Sequence, residues 1–154
     1  MVHVYSLIVP AVVLLPNLGF IVWPPKPTSD LHVPQDRMIF RAAEGIGRIG
    51  VTILPLFSVI RVEGSLEWFA LVLMLLSLGF YGVGWIRYFL GDRQYSTLYA
   101  PLMGIPVPMA VMPILYFVSA SLVLHSIPLM VCSLIFGIGH IPASLRIQHF
   151  LQEK

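Results

Sequence analysis

Charge is what this sequence has least of. Asp, Glu, Lys and Arg make up 10% of its 154 residues, against roughly a quarter in ordinary soluble domains. A surface so poor in charge is not kept in water. The 58% hydrophobic content and mean hydropathy of +0.89 make a bilayer the expected solvent. With a net charge of +2 and no basic patch interleaved with aromatics, nothing argues for nucleic acid as a partner.

Cysteine is nearly absent as well. Cys132 is the single one, so no intramolecular disulfide forms and no metal-ligating cysteine spacing exists. It stands in an apolar run and reads as a small buried or lipid-facing residue. Signal-peptide features are missing from the first hydrophobic run. No basic segment precedes it, Pro10 and Pro16 interrupt it, and it ends in Trp23-Pro24-Pro25 instead of a small-residue cleavage site. The run is therefore read as a retained helix. There is no internal repeat and no low-complexity segment, which disfavours a transporter built from inverted halves of one chain.

What is present is a series of hydrophobic runs of spanning length, at Val4–Trp23, Ala42–Ile60, Leu66–Leu90, Tyr99–Leu124 and Pro128–Leu145. Only helices satisfy their own backbone in lipid without closing into a barrel. The expected fold is all-α, a polytopic bundle of five transmembrane helices forming a single domain over residues 1–154. With five spans, Lys26, Arg37, Arg41, Arg48, Arg87, Arg93, Arg146 and Lys154 fall on one side and Arg61 alone on the other. By the positive-inside rule the basic side is cytoplasmic, with the N-terminus outside and the C-terminus inside the plasma or inner membrane. The connection from Pro24 to about Arg41 is then cytoplasmic. It opens on a stiff Pro-Pro-Lys-Pro, turns at Thr28-Ser29-Asp30, and is expected to form a short interfacial helix over Gln35–Arg41.

The second run carries the most information. Between Arg48 and Arg61 lie twelve residues, about 18 Å of helix against a hydrocarbon core of about 30 Å. The helix must begin near Ala42, which puts Glu44 and Arg48 within the membrane, Arg48 about 9 Å from that start. Glu44 precedes Arg48 by four residues, the favourable order for an ion pair on one helical face. Counting six residues back from the basic end of each other run reaches Asn17, Tyr81 and His140, while the fourth run has Gly104, Pro106 and Pro108 at that depth. One polar layer results. Faces agree with it: Ser77, Tyr81, Gly84 and Tyr88 form one stripe, and Ser133, Gly137, His140 and Ser144 repeat the same spacing. Small and polar residues of this kind are expected to face helix neighbours.

Each feature also has a plainer reading. Glu44 and Arg48 serve either as a structural ion pair or as a functional site. His140 reads as a satisfied bundle histidine or as a titrating group, and Asn17 as a cap on the carbonyl freed by Pro16 or as a ligand contact. Arg87, beside Trp85, Tyr88 and Arg93, reads as an interfacial anchor or as a cationic mouth. The prolines at 101, 106, 108 and 113 mean either a kinked fourth helix or unwound backbone lining a cavity. Gly45-Ile46-Gly47-Arg48-Ile49-Gly50 matches a dinucleotide-binding pattern only in its letters, with no strand before it. Its glycines, with Ala42 and Ala43, are expected to thin one side of the helix for close packing.

Glu44 to Arg48 gives E-x-x-x-R and Phe136 to His140 gives F-x-x-x-H. Together these are similar to the first two motifs of the CAAX-type intramembrane proteases, over about ten residues. The resemblance implies that Glu44 and His140 activate a water at the bond to be cut. Ala43 stands where that family has a second glutamate, the two motifs lie farther apart, and no third motif follows. In size and span count the chain resembles the tryptophan-rich sensory or translocator proteins, five-helix membrane proteins that bind porphyrins and sterols.

The leading expectation is a cytoplasm-facing polar pocket of Asn17, Glu44, Arg48, Tyr81, Arg87 and His140 that binds or translocates a small anionic molecule or lipid. Two alternatives stand beside it: a membrane-embedded enzyme of hydrolase type acting on a lipid or peptide-like substrate, and a non-catalytic assembly subunit. Membrane lipids are expected partners and a homodimer is left open. The residues name no catalytic group, no cofactor and no metal site.

Overall fold

A computed structural model of the chain describes residues 3–26 and 37–153. The expected turn at Thr28-Ser29-Asp30, together with Pro27, Gln35, Asp36 and Lys154, lies outside the described residues. Among the described residues the chain is all-helical, with five α-helices and no strand. They are α1 (Ile8–Val22), α2 (Met38–Ile53), α3 (Ser65–Leu90), α4 (Pro108–Val123) and α5 (Ile127–Gln152). Short 3₁₀ turns precede α1 (Val4–Leu7), follow α2 (Leu54–Phe57) and precede α4 (Tyr95–Tyr99).

Local chemistry sets these bounds. Pro55 has no N–H to continue an α-ladder, so α2 tightens into its 3₁₀ turn and ends at Ser58, which is extended. The last residues of the second run, Ser58 to Ile60, are therefore not helical. At the start of α3 the Glu67 carboxylate accepts the Gly64 N–H at 2.8 Å, and at the start of α5 Ser126 Oγ accepts the Leu129 N–H. Pro108 opens α4 at a position that needs no N–H. Before it, Leu102 and Ile105 exchange two backbone hydrogen bonds around Met103 and Gly104, both with positive φ. Such a two-residue turn needs positive φ at both centres, which glycine supplies without strain. The first third of the fourth run is thus loop, not kinked helix.

Two further expectations are corrected. α5 does not stop at Leu145 but continues to Gln152. Met38–Arg41 belongs to α2 itself, so no separate interfacial helix exists among the described residues of Gln35–Arg41.

Three helical stretches are long and apolar enough to cross a membrane: Val4–Val22, α3 and α5. Little of their hydrophobic surface is covered by protein. Only 22%, 28% and 39% of their most apolar windows is buried, and Leu75, Leu76, Ile86, Leu134 and Ile138 stand exposed. Apolar surface on this scale is covered by something else, and lipid has the matching chemistry. α4 is the opposite case. Apolar nearly all round, it is buried along most of its length and forms the core of the bundle.

The helices pack as two close pairs, α2 with α5 and α3 with α4, and α4 joins the pairs through α5. Glycine makes the first pair possible. A side chain at Gly47 would strike the Phe136 backbone, and one at Gly139 would strike Phe40 O and the Glu44 backbone. Gly50 meets Cys132, whereas Gly45 faces open space, so only part of the expected glycine face takes part. α1 touches α2 and α3 more sparingly and is held by the Tyr116 hydroxyl, which donates to Val9 O at 3.0 Å.

Helix direction alternates. At one end Lys26 pairs with Asp92 at 3.3 Å, and Gln148 Nε2 donates to Tyr99 O at 2.8 Å and to Pro106 O. At the other end Ser6 Oγ donates to Ser58 O at 2.6 Å, Arg61 N–H donates to Val123 O at 3.0 Å, and His125 lies 3.6 Å from Glu67. The ends of α1, α3 and α5 thus gather where α2 and α4 begin.

Candidate functional site

All five helices and the Tyr95–Tyr99 turn surround one cavity of about 480 Å³. Its inner wall is apolar and aromatic, with Phe20, Trp85, Phe117 and Phe136. Tyr95, Leu98 and Tyr99 close it at the end where α3 finishes, and Gln148 ties that roof to α5 through its hydrogen bond to Tyr99 O.

Polar groups meet in the cavity on two facing walls. On the α2–α5 wall, Glu44 Oε1 accepts from Arg48 Nη2 at 2.5 Å and lies 3.1 Å from His140 Nδ1. The i,i+4 spacing aligns Glu44 with Arg48, and Gly139, next to His140, lets α5 come close enough for the imidazole to reach α2. An ionised carboxylate only accepts, so Nδ1–H is the donor, and whenever the ring is neutral Nε2 holds the free lone pair. The His140 ring stacks on Phe136 with centroids 5.0 Å apart, and the Arg48 guanidinium lies over the same Phe136 ring, 5.8 Å from its centroid. On the α1–α3 wall, Asn17 Nδ2 donates to Tyr81 Oη at 3.1 Å and to Val13 O at 2.9 Å. Pro16 frees the carbonyl of Val12 instead, so Asn17 is not the expected cap on that carbonyl.

Of the six residues singled out from the sequence, Asn17, Arg48, Tyr81 and His140 line the cavity. Glu44 stands behind it, bonded to both Arg48 and His140. Arg87 is apart. Its Nη1 donates to Pro101 O at 3.2 Å, fastening α3 to the loop before α4, and it does not reach the cavity. Both polar stripes face inward, with Ser77, Tyr81, Tyr88, Ser133 and Ser144 all buried.

Several residues in or beside the cavity wall escaped the sequence reading. Gln148 continues the α5 stripe one turn beyond Ser144, a signal concealed by ending that span at Leu145. Trp85 follows Tyr81 by four residues and reads from the sequence only as a neighbour of the interfacial Arg87; it is buried, and its Nε1 has no hydrogen-bond partner among the described residues. Tyr95 and Tyr99 pair their hydroxyls at 3.1 Å across one turn, a spacing that in a presumed loop carried no message.

Chemically the site offers a half-exposed guanidinium, an imidazole held by a carboxylate, and a phenol. Among the described residues no three side chains are grouped to hold a metal ion. Of the four residues that carry the resemblance to CAAX-type proteases, Glu44 meets Arg48 and His140, and Phe136 lies against the same two. No family model, curated protein or solved structure matches the chain.

Proposed function

We propose that this chain crosses the membrane five times, with its N-terminus outside and its C-terminus in the cytoplasm, and that its cavity binds or passes a small molecule or lipid bearing an anionic group. The observation that carries the reading is the cavity itself, with the Arg48 guanidinium on its wall. At about 480 Å³ it falls within the range of small-molecule sites, roughly 300–1,000 Å³.

Five spans fit the lengths. α2 and its 3₁₀ turn rise about 24 and 8 Å, together enough for a core of about 30 Å. α4 rises only about 24 Å and is enclosed by its neighbours along most of its length; the loop before it, with Pro101, Met103, Gly104 and Pro106 exposed, belongs at the membrane surface, since irregular backbone facing lipid is not tolerated in the hydrocarbon. The alternating helix ends support the same topology and gather Lys26, Arg87 and Arg93 at the end expected in the cytoplasm.

Native mass spectrometry of the detergent-purified protein tests the reading. Wild type is expected to retain an anionic molecule that Arg48→Ala and His140→Ala lose while keeping the wild-type fold. Equal retention in all three overturns it.

One observation favours a second reading, a membrane-embedded hydrolase. Glu44 and His140 lie within hydrogen-bond reach, leaving His140 Nε2 free to accept a proton from water. Turnover of a membrane lipid extract by wild type, abolished in Glu44→Gln, supports it; identical product profiles count against it. A docking subunit calls for a solidly packed core, which the cavity does not favour.

A further inference from the structure

The cavity is not equally open on all sides. Its deep lining, Val51, Tyr81, Val107, Phe117 and Phe136, is buried. Every exposed residue of the lining stands on α1 or α2: Leu14, Asn17 and Ile21 along one face of α1, and Arg48 on α2, whose side chain is 56% exposed. The mouth is therefore a slot between α1 and α2, the sparingly packed side of the bundle. It runs along the flanks of the helices and not over their ends. Arg48 lies ten residues into α2, about 15 Å from its first turn. The end toward the cytoplasm is covered by Tyr95, Leu98 and Tyr99.

We infer that the cavity is loaded sideways, from the bilayer through the α1–α2 slot, and that its ligand is an anionic membrane lipid and not an anion dissolved in water. This rests on the function proposed above and names its ligand class. Lipid is what meets a slot at that depth. An acyl chain matches the aromatic inner wall, and the anionic head meets Arg48 at the slot. Glu44 occupies Nη2 of Arg48, and the guanidinium has further N–H donors for a phosphate or carboxylate oxygen. Inside, the unpartnered Trp85 Nε1–H and the Tyr81 hydroxyl supply donors for ester oxygens.

Trp85 reports on the cavity. In a Trp23→Phe/Trp68→Phe background it is the sole tryptophan, since the chain has three and the other two are exposed. This protein, in nanodiscs, is to be compared with phosphatidylglycerol and with phosphatidylcholine brominated on their acyl chains, and with iodide added from water. Brominated phosphatidylglycerol is expected to quench Trp85 at a concentration about fivefold lower than phosphatidylcholine does, the preference that one basic side chain near an anionic surface is worth. Iodide is expected not to quench it. Arg48→Gln should erase the preference, and Thr52→Phe, which narrows the slot, should weaken quenching by both lipids. Iodide quenching with no lipid quenching overturns sideways loading while leaving an anion-binding cavity. Equal quenching by the two lipids overturns the anionic head but not the slot. If neither lipid nor iodide reaches Trp85, the cavity is closed, and this inference and the function proposed above both fail.

Discussion

At the scale of the residue, Glu44 is the hinge of the site because one oxygen serves two partners. Removing its charge leaves Arg48 without its ion pair and His140 with only a neutral acceptor, whereas removing Arg48 leaves the His140 contact intact. Glu44→Gln is therefore expected to destabilise the protein more than Arg48→Gln, by on the order of 1 kcal/mol for two weakened charge-assisted hydrogen bonds instead of one. The double variant should be less damaging than the sum of the singles, as read by thermal unfolding in detergent. A strictly additive result would mean the two side chains do not interact. Glu44 and Arg48 were legible in the sequence because helical spacing alone aligns them. Depth put His140 in the same layer and the resemblance put it beside Glu44, but the direct contact was not legible, since 96 residues separate the two and depth gives a layer without an angle around the bundle. Arg87 illustrates the same limit. It lies one helix end away from the polar layer and turned to the Pro101 carbonyl instead of the cavity.

At the scale of the element, the α2–α5 contact decides whether the polar group exists. Gly139→Ala would drive a methyl into the Phe40–Glu44 backbone, which cannot yield as a flexible side chain would. It is expected to cost stability by roughly 1–3 kcal/mol, and to part His140 from Glu44. Gly45→Ala meets nothing within 4 Å and is expected to be neutral or to stabilise α2 by up to about 1 kcal/mol through helix propensity. The two variants, compared by unfolding in detergent, separate packing glycines from idle ones. Equal effects would contradict the described contact. Small-residue faces were visible in the sequence, but not which glycine met a backbone, because that depends on the partner helix. The prolines divided between the two readings that the sequence left open. Pro113 and Pro142 sit inside helices, while the segment holding Pro101 and Pro106 leaves the helix altogether around the Met103-Gly104 turn.

At the scale of the whole molecule, the fold is turned outward, with apolar side chains on the periphery and serines, tyrosines and a buried helix within. A topology follows that can be tested without the ligand. A fluorescent protein fused after Lys154 is expected to fold and fluoresce, and alkaline phosphatase fused there to be inactive. A cysteine placed at Gly64, in a Cys132→Ser background, should react with an impermeant maleimide in intact cells. The reverse pattern would invert the orientation, and with it the statement that Tyr95–Tyr99 closes the cytoplasmic end.

Composition and spacing by themselves determined an all-helical chain fit for lipid, the polar stripes of α3 and α5, and the Glu44–Arg48 alignment, because each depends only on transfer from water or on repeat distance along one helix. Tertiary structure decided where α2 and α4 stop, which residues share a cavity, and on which side it opens. Those depend on the rotation of each helix against its neighbours, and the periodicity of one helix does not contain the phase of the next.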